Sequence, residues 1–326
     1  MDTTQRLHRL KTRLAFAIIY FVWGSTFLAI RVGVHEVPPF LLAGIRFSAA
    51  GIVLYAWMRA RGVASPAFRE WASASLLAVL IFVLDYGLLF WAEQRVPSGI
   101  AAVMMATIPA FMALAEILVL RTQGLTLRLG LALLVGIGGV AILVNRSAGF
   151  GEGPINLSGA LALLVAAISW SLASVLTRKL ALPESKVMSS GAQMLAGGVL
   201  LTVTAAMLGE FRGFHLRTVS SGAWFALAYL VFAGSVIGFT AYVWLIHHES
   251  PTKVGTYAYV NPVVAVLVGY FLGGEALGAR TVLGTFLVLI SVVVITTTPK
   301  KKAESELSIK PADSRYRGPA SETERV

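Results

Sequence analysis

Trp91-Ala92-Glu93-Gln94-Arg95-Val96-Pro97-Ser98-Gly99, with the apolar run that follows it to Leu120, reads as the end of one membrane helix, a tight turn and the start of the next. Ala102, Ala106 and Ala110 recur every four residues, so one face of the second helix is small. Small faces let helix backbones approach closely in lipid, where packing rather than the hydrophobic effect joins helices. Pro109 falls near the middle of the run. A proline there removes a backbone hydrogen bond and bends the helix. The second half of the chain carries a counterpart: Trp244, then Pro251-Thr252, then an apolar run broken at Asn261-Pro262. Two central, proline-bent helices at matching positions of two half-chains point to a transporter architecture.

Composition agrees. The chain has 326 residues, 57% hydrophobic and 13% charged, with a mean hydropathy of +0.77. A soluble domain carries about 25% charged residues, so a water-facing surface cannot be covered here. Apolar runs of roughly 20 residues, enough to cross a bilayer, recur along the whole length. The fold class is therefore an all-α integral membrane protein. The absence of cysteine excludes disulfides, thiolate metal sites and cysteine nucleophiles. A net charge of +11 is also a feature of nucleic-acid binders, but the basic residues here cluster at the ends of apolar runs and in the tail. That is the pattern of topology signals. The expected partners are the bilayer and a small-molecule solute, not nucleic acid; the oligomeric state is left open. Arg6, Arg9, Lys11 and Arg13 precede the segment Leu14 to Val34, which is too long for a signal-peptide core and has no convincing cleavage site. It reads as a retained first span.

Ten spans are expected, near 14–33, 39–58, 72–92, 98–120, 128–145, 156–177, 187–208, 221–244, 253–273 and 280–298. The connections are short and marked by Gly or Pro. Residues 1–13 form an N-terminal segment, 14–145 and 156–298 two five-span units, and 299–326 a polar tail expected to be disordered. Orientation follows from Lys and Arg. Arg6, Arg9, Lys11, Arg13, Arg59, Arg61, Arg69, Arg121, Arg128, Arg178, Lys179, Lys186, Lys253 and Lys300 to Lys302 fall on one side. Arg31, Arg95, Arg146, Arg212, Arg217 and Arg280 fall on the other. The bias puts both termini in the cytoplasm. An internal repeat is also visible. Trp23 and Arg31 recur as Trp170 and Arg178, and Gly44, Ala49 and Gly51 as Gly191, Ala196 and Gly198, all at an offset of 147. Pro97 pairs with Pro251 and Pro109 with Pro262 at offsets of 154 and 153. Five spans per copy is an odd number, so the second copy must be inverted relative to the first.

These residues carry a family likeness. The chain resembles the EamA-type transporters of the drug/metabolite transporter superfamily over about residues 12–298. The marks are Trp23-Gly24-Ser25-Thr26-Phe27, Trp91-Ala92-Glu93-Gln94 with Val96-Pro97-Ser98-Gly99, Ala106-Thr107-Ile108-Pro109, and Asn261-Pro262 followed by Gly274-Glu275. The resemblance implies a bacterial inner-membrane exporter of amino acids, other metabolites or toxic compounds, often by exchange with protons. It departs at one point: Arg121-Thr122 stands in the first repeat where the second has Gly274-Glu275.

Charges inside spans are costly and invite a functional reading. Asp85 sits about eight residues from the end of the third span, roughly 12 Å deep at 1.5 Å per residue, and Arg46 lies at similar depth in the second. Asp85 is read either as a proton acceptor or as half of a structural ion pair with Arg46; Arg46 either as that partner or as the holder of a substrate carboxylate. Glu93, about two turns after Asp85, is a gate residue or an interfacial acid. Glu116 is expected to be structural beside Arg121, and Glu275 to cap or orient the tenth span. Tyr257 and Asn261 share a helix face at i, i+4 and, with Thr107, are expected to line a cavity between the repeats; the alternative is that Thr107 and Asn261 repair the proline kinks. Trp23, Trp170 and Tyr86 are aromatic candidates for the lining, while Trp91 and Trp244 belong to an interfacial belt. Gly269/Gly273 and Gly234/Gly238 read as packing faces. His247 and His248 are expected to be solvated. No phosphate loop, His-Glu-x-x-His or nucleophile elbow is present, so no cofactor and no ATP-driven pump is expected. Export of small organic solutes by alternating access leads. Transport of phosphorylated metabolites or nucleotide-sugars is the alternative, with an intramembrane enzyme or receptor-like protein behind it.

Overall fold

The computed structural model describes residues 3–115, 117, 126–144, 155–177, 179–248 and 257–297. Readings on Glu116, Arg121, Arg178, Pro251, the His247 side chain and the tail lie outside the described residues. Within them every long element is a helix and there is no strand. Eight helices are long and apolar enough to cross a bilayer: α1 Arg6–Val34, α2 Pro39–Ala60, α3 Phe68–Glu93, α4 Ser98–Ala115, α6 Leu157–Leu176, α7 Lys186–Met207, α8 Ser221–Tyr242 and α10 Ala279–Thr297. Two more, α5 Leu127–Leu143 and α9 Tyr257–Gly273, are apolar but shorter. At 1.5 Å per residue each of these two is about 25 Å long.

The helices associate in pairs drawn from the two halves: α2 along α7, α5 along α10, and α4 against α9. Small residues make the first pair close. The glycines noted as repeats face the partner helix. Gly44 meets Thr202, Gly51 meets Leu195, Gly191 meets Tyr55 and Gly198 meets Ser48. The largest core cluster, with Phe47, Phe90, Leu42, Leu163 and Leu201 fully buried, lies where α2, α3, α6 and α7 meet.

The two prolines act differently. α4 is interrupted at Ala106–Thr107, just before Pro109, and the Thr107 hydroxyl donates to the Met104 carbonyl at 2.6 Å. Pro262 lies inside α9 without interrupting it.

One face of the bundle carries the α1–α2, α3–α4, α7–α8 and α9–α10 connections, and the carboxylates of Glu210, Glu36 and Glu275 tie it together across the halves. Glu210 accepts from the Leu41 and Phe40 amides at 2.8 and 3.4 Å and so caps α2. Burial pushes its carboxyl up, against the pull of those two amides. Glu36 accepts from the Ser220 amide and hydroxyl, both at 2.6 Å. These bonds hold the Glu36 carboxyl below its ordinary range. The Glu36–Ser220 tie is therefore fully present above the ordinary carboxylate range and is lost as pH falls through the lowered value. Ser220→Ala, which removes the hydroxyl bond and keeps the amide, is expected to move the Glu36 titration part of the way up toward the ordinary range, read by carboxyl-carbon NMR; a titration that does not move means other groups set it.

Candidate functional site

Wide π-helical turns place the interior polar residues. They cover Ile18–Val22 in α1, Val79–Gly87 in α3 and Leu230–Ile237 in α8. A π turn takes in an extra residue, re-aims the side chains and recurs at functional sites. Asp85 and Tyr86 lie in the α3 stretch, Gly234 and Ser235 in that of α8.

Two side chains from other helices converge on Gly234-Ser235. The Trp23 indole donates to the Gly234 carbonyl at 3.0 Å. The Arg46 Nε donates to the Ser235 hydroxyl at 3.1 Å. The Gly234/Gly238 face is where Trp23 lies: a Cβ at Gly238 would overlap its indole nitrogen, and one at Gly234 would sit 3.3 Å from Arg46 Nη2. On the other half, the Ser169 hydroxyl of α6 donates to the Leu80 carbonyl at 2.8 Å, inside the α3 π stretch.

Arg46 is 3% exposed. Its guanidinium stands 4.7 Å from the Phe47 ring centre, 5.4 Å from Tyr86 and 5.9 Å from Phe90. Of the two readings of Arg46 and Asp85, the structural ion pair does not form. Asp85 is 1% exposed with Oδ1 unpartnered, and Arg46 Nη1 also lacks an acceptor. Equal depth on two helices does not fix azimuth, and it is the next residue, Tyr86, that faces the guanidinium.

The aromatic candidates form two groups. Tyr86 packs against Trp170 edge-on at 6.0 Å and against Phe47 at 4.6 Å. Trp23 meets Tyr257 at 5.3 Å and Tyr242 at 5.4 Å. Tyr86, Trp170, Trp23 and Tyr257 all remain half-buried within these ring clusters. Trp91 lies under Arg95 at 3.8 Å, and Trp244 stacks on exposed His248 at 4.1 Å. Asn261 is buried, and its amide nitrogen, turned to meet its neighbours, donates to the Ile19 and Tyr20 carbonyls at 3.1 Å each, inside the α1 π stretch. Thr107 thus bonds a carbonyl of its own helix just before Pro109, whereas Asn261, next to Pro262, bonds carbonyls of α1.

Glu93 differs from an interfacial acid: it is fully buried, neither carboxylate oxygen has a hydrogen-bond partner, and Glu275, Arg31 and Arg46 lie within electrostatic range. Glu275 is a cap, but of α4 rather than α10. It accepts from the Ser98 and Gly99 amides at 2.7 and 3.0 Å and pairs with Arg31 at 3.4 Å. Arg31 in turn donates to the Val96 carbonyl at 2.7 Å. Sequence reasoning missed Ser235, Tyr242 and Ser169. Ser235 had a signal, since it sits in the third span of the second half much as Asp85 does in the first.

Apolar membrane-length helices around an interior of buried polar and aromatic side chains define the class: a polytopic helical membrane protein. The EamA-like transporter family matches residues 11–145 and again 157–297, and the chain belongs to that family. It is 38% identical over 285 residues to YedA of Escherichia coli K12, named an uncharacterized inner membrane transporter, covering 86% of this chain and 89% of that one. YoaV of Bacillus subtilis, named an uncharacterized transporter, is 27% identical over 302 residues, covering 88% and 97%. A crystal structure of 21% identity aligns with a TM-score of 0.56 over 88% of this chain and 96% of that one, which shows a shared fold.

Proposed function

We propose that this protein is a secondary transporter that exports small organic solutes across the bacterial inner membrane by alternating access. Ten spans form two inverted five-helix repeats with both termini cytoplasmic, as the Lys and Arg bias supports. The observation that carries the reading is the mirrored docking of the two halves. Trp23 of α1 bonds a carbonyl in the π stretch of α8, and Ser169 of α6 bonds one in the π stretch of α3. These are the first and third helices of each half, exchanged. Matching sites on opposed halves are what a rocking mechanism needs. The face tied by Glu36, Glu210 and Glu275 is then the outer one, and this conformation is closed to the outside.

In this reading Trp23, Arg46, Asp85, Tyr86, Thr107, Trp170, Tyr257 and Asn261 line the route, and Asp85 and Glu93 serve as coupling or gate residues. Asp85 is the candidate for the coupling proton, because it is buried in a π turn without an ion-pair partner. In proteoliposomes, Asp85→Asn is expected to abolish proton-driven accumulation of solute while leaving counterflow exchange. An unchanged response to a pH gradient removes Asp85 from the coupling. A wild-type protein that moves no solute removes the transport reading itself.

A further inference from the structure

We infer that the solute is an organic anion of single charge with an aromatic or apolar body, and that Arg46 receives its anionic group. This rests on the transporter reading and names its substrate class. Arg46 stands about 10 Å into α2 at 1.5 Å per residue from Pro39. A guanidinium stays charged and presents its N–H donors in a fixed plane. One donor, Nε, is taken by Ser235, and Nη1 has no acceptor. An unneutralised charge at membrane depth is costly and is kept where a ligand or partner repays it.

No bonded counter-ion is at hand. Asp85 forms no pair with Arg46, and Glu93 acts on it through space without a hydrogen bond. The surroundings are instead the rings of Phe47, Tyr86 and Phe90. Rings shed water, and a charge-assisted bond made beside them is stronger for it. Charge count selects among anions. One guanidinium balances a carboxylate, whereas a phosphate monoester carries nearly two negative charges and would bring one more than Arg46 can balance. Half-buried Tyr86 and Trp170, edge-to-face at 6.0 Å, offer a wall for a ring or an alkyl body.

The test uses the purified full chain with 3-phenylpropionate, phenylacetate and the matching neutral amides. Binding is read by the ligand-dependent rise in unfolding temperature, and exchange by counterflow in proteoliposomes. At least one carboxylate is expected to bind saturably, and its amide about tenfold or more weaker, as befits a lost charge-assisted bond. Arg46→Gln is expected to bind the carboxylate about tenfold or more weaker, and Arg46→Lys to recover part of the loss. Ser235→Ala, which keeps the charge but frees the guanidinium, is expected to weaken binding by a smaller factor, restored by Ser235→Thr. Amides that bind as tightly as carboxylates, wild-type affinity in Arg46→Gln, or no carboxylate bound at all each overturn the assignment. Exchange of the amides as fast as the carboxylates overturns the anion class and leaves transport standing. Arg46-dependent binding without any exchange supports the site and overturns transport.

Discussion

Glu275→Ala is expected to open the face that carries the α3–α4 and α9–α10 connections. The Glu275 carboxylate performs two tasks at once. It caps two amides at the N-terminus of α4 and neutralises Arg31, which itself holds the Val96 carbonyl of the α3–α4 turn. Loss of such a cap costs about 1 kcal/mol. Loss of the ion pair adds a comparable amount, discounted because the Arg31 side chain is 26% exposed and water screens it. A combined cost of about 2 kcal/mol shifts the open population roughly thirtyfold. The chain offers a clean reporter, since it has no cysteine and Val96 is fully buried against Gly159 in the closed face. A Val96→Cys variant is expected to react slowly with an impermeant thiol reagent, and about tenfold or more faster once Glu275→Ala is added. Glu275→Gln, which keeps an acceptor but loses the charge, is expected to fall between. Equal labelling rates in all three would show that the face is held by apolar packing alone.

What could be read from the chain, and what could not, divides along a physical line. Apolar runs and the repeated Gly44/Gly51 and Gly191/Gly198 pairs are local or periodic signals, and the two glycine pairs lie in helices where their pattern put them. Side-chain partners were less legible, because azimuth depends on tertiary contact. Arg46 and Asp85 share a depth, yet a π turn and the neighbouring Tyr86 decide what meets the guanidinium. π turns leave no pattern in composition, for they are settled by outside donors such as Trp23, Ser169 and Asn261. Nor did Glu275 announce a partner 177 residues away. The matched prolines likewise promised two equal bends, whereas the break at Thr107 and the continuous α9 are different answers to one lost hydrogen bond.

The other large effect is structural, and it separates packing from chemistry. A side chain at Gly198 has nowhere to go: its Cβ would overlap the backbone nitrogen, Cα and hydroxyl of Ser48 on α2. Two of those three atoms belong to backbone, so no rotamer change relieves the clash, and α2 and α7 must part along their whole contact. In lipid that contact is sustained by close packing, and separation gains nothing from burying apolar surface elsewhere. Gly198→Val is therefore expected to cost about 3 kcal/mol or more, at the upper end of overpacking, and to lower the unfolding temperature in detergent with loss of folded yield. Gly130→Val is the control, since that glycine meets nothing within 4 Å and its variant is expected to fold like the parent. The effect should also be local in kind. A second-site Ser48→Gly change removes the hydroxyl but not the backbone, so it is expected to restore only a minor part of the loss. Full rescue by Ser48→Gly would mean that the hydroxyl, and not the backbone approach, sets the helix spacing. A Gly198→Val protein of parental stability would mean that α2 and α7 are held apart by more than this contact allows.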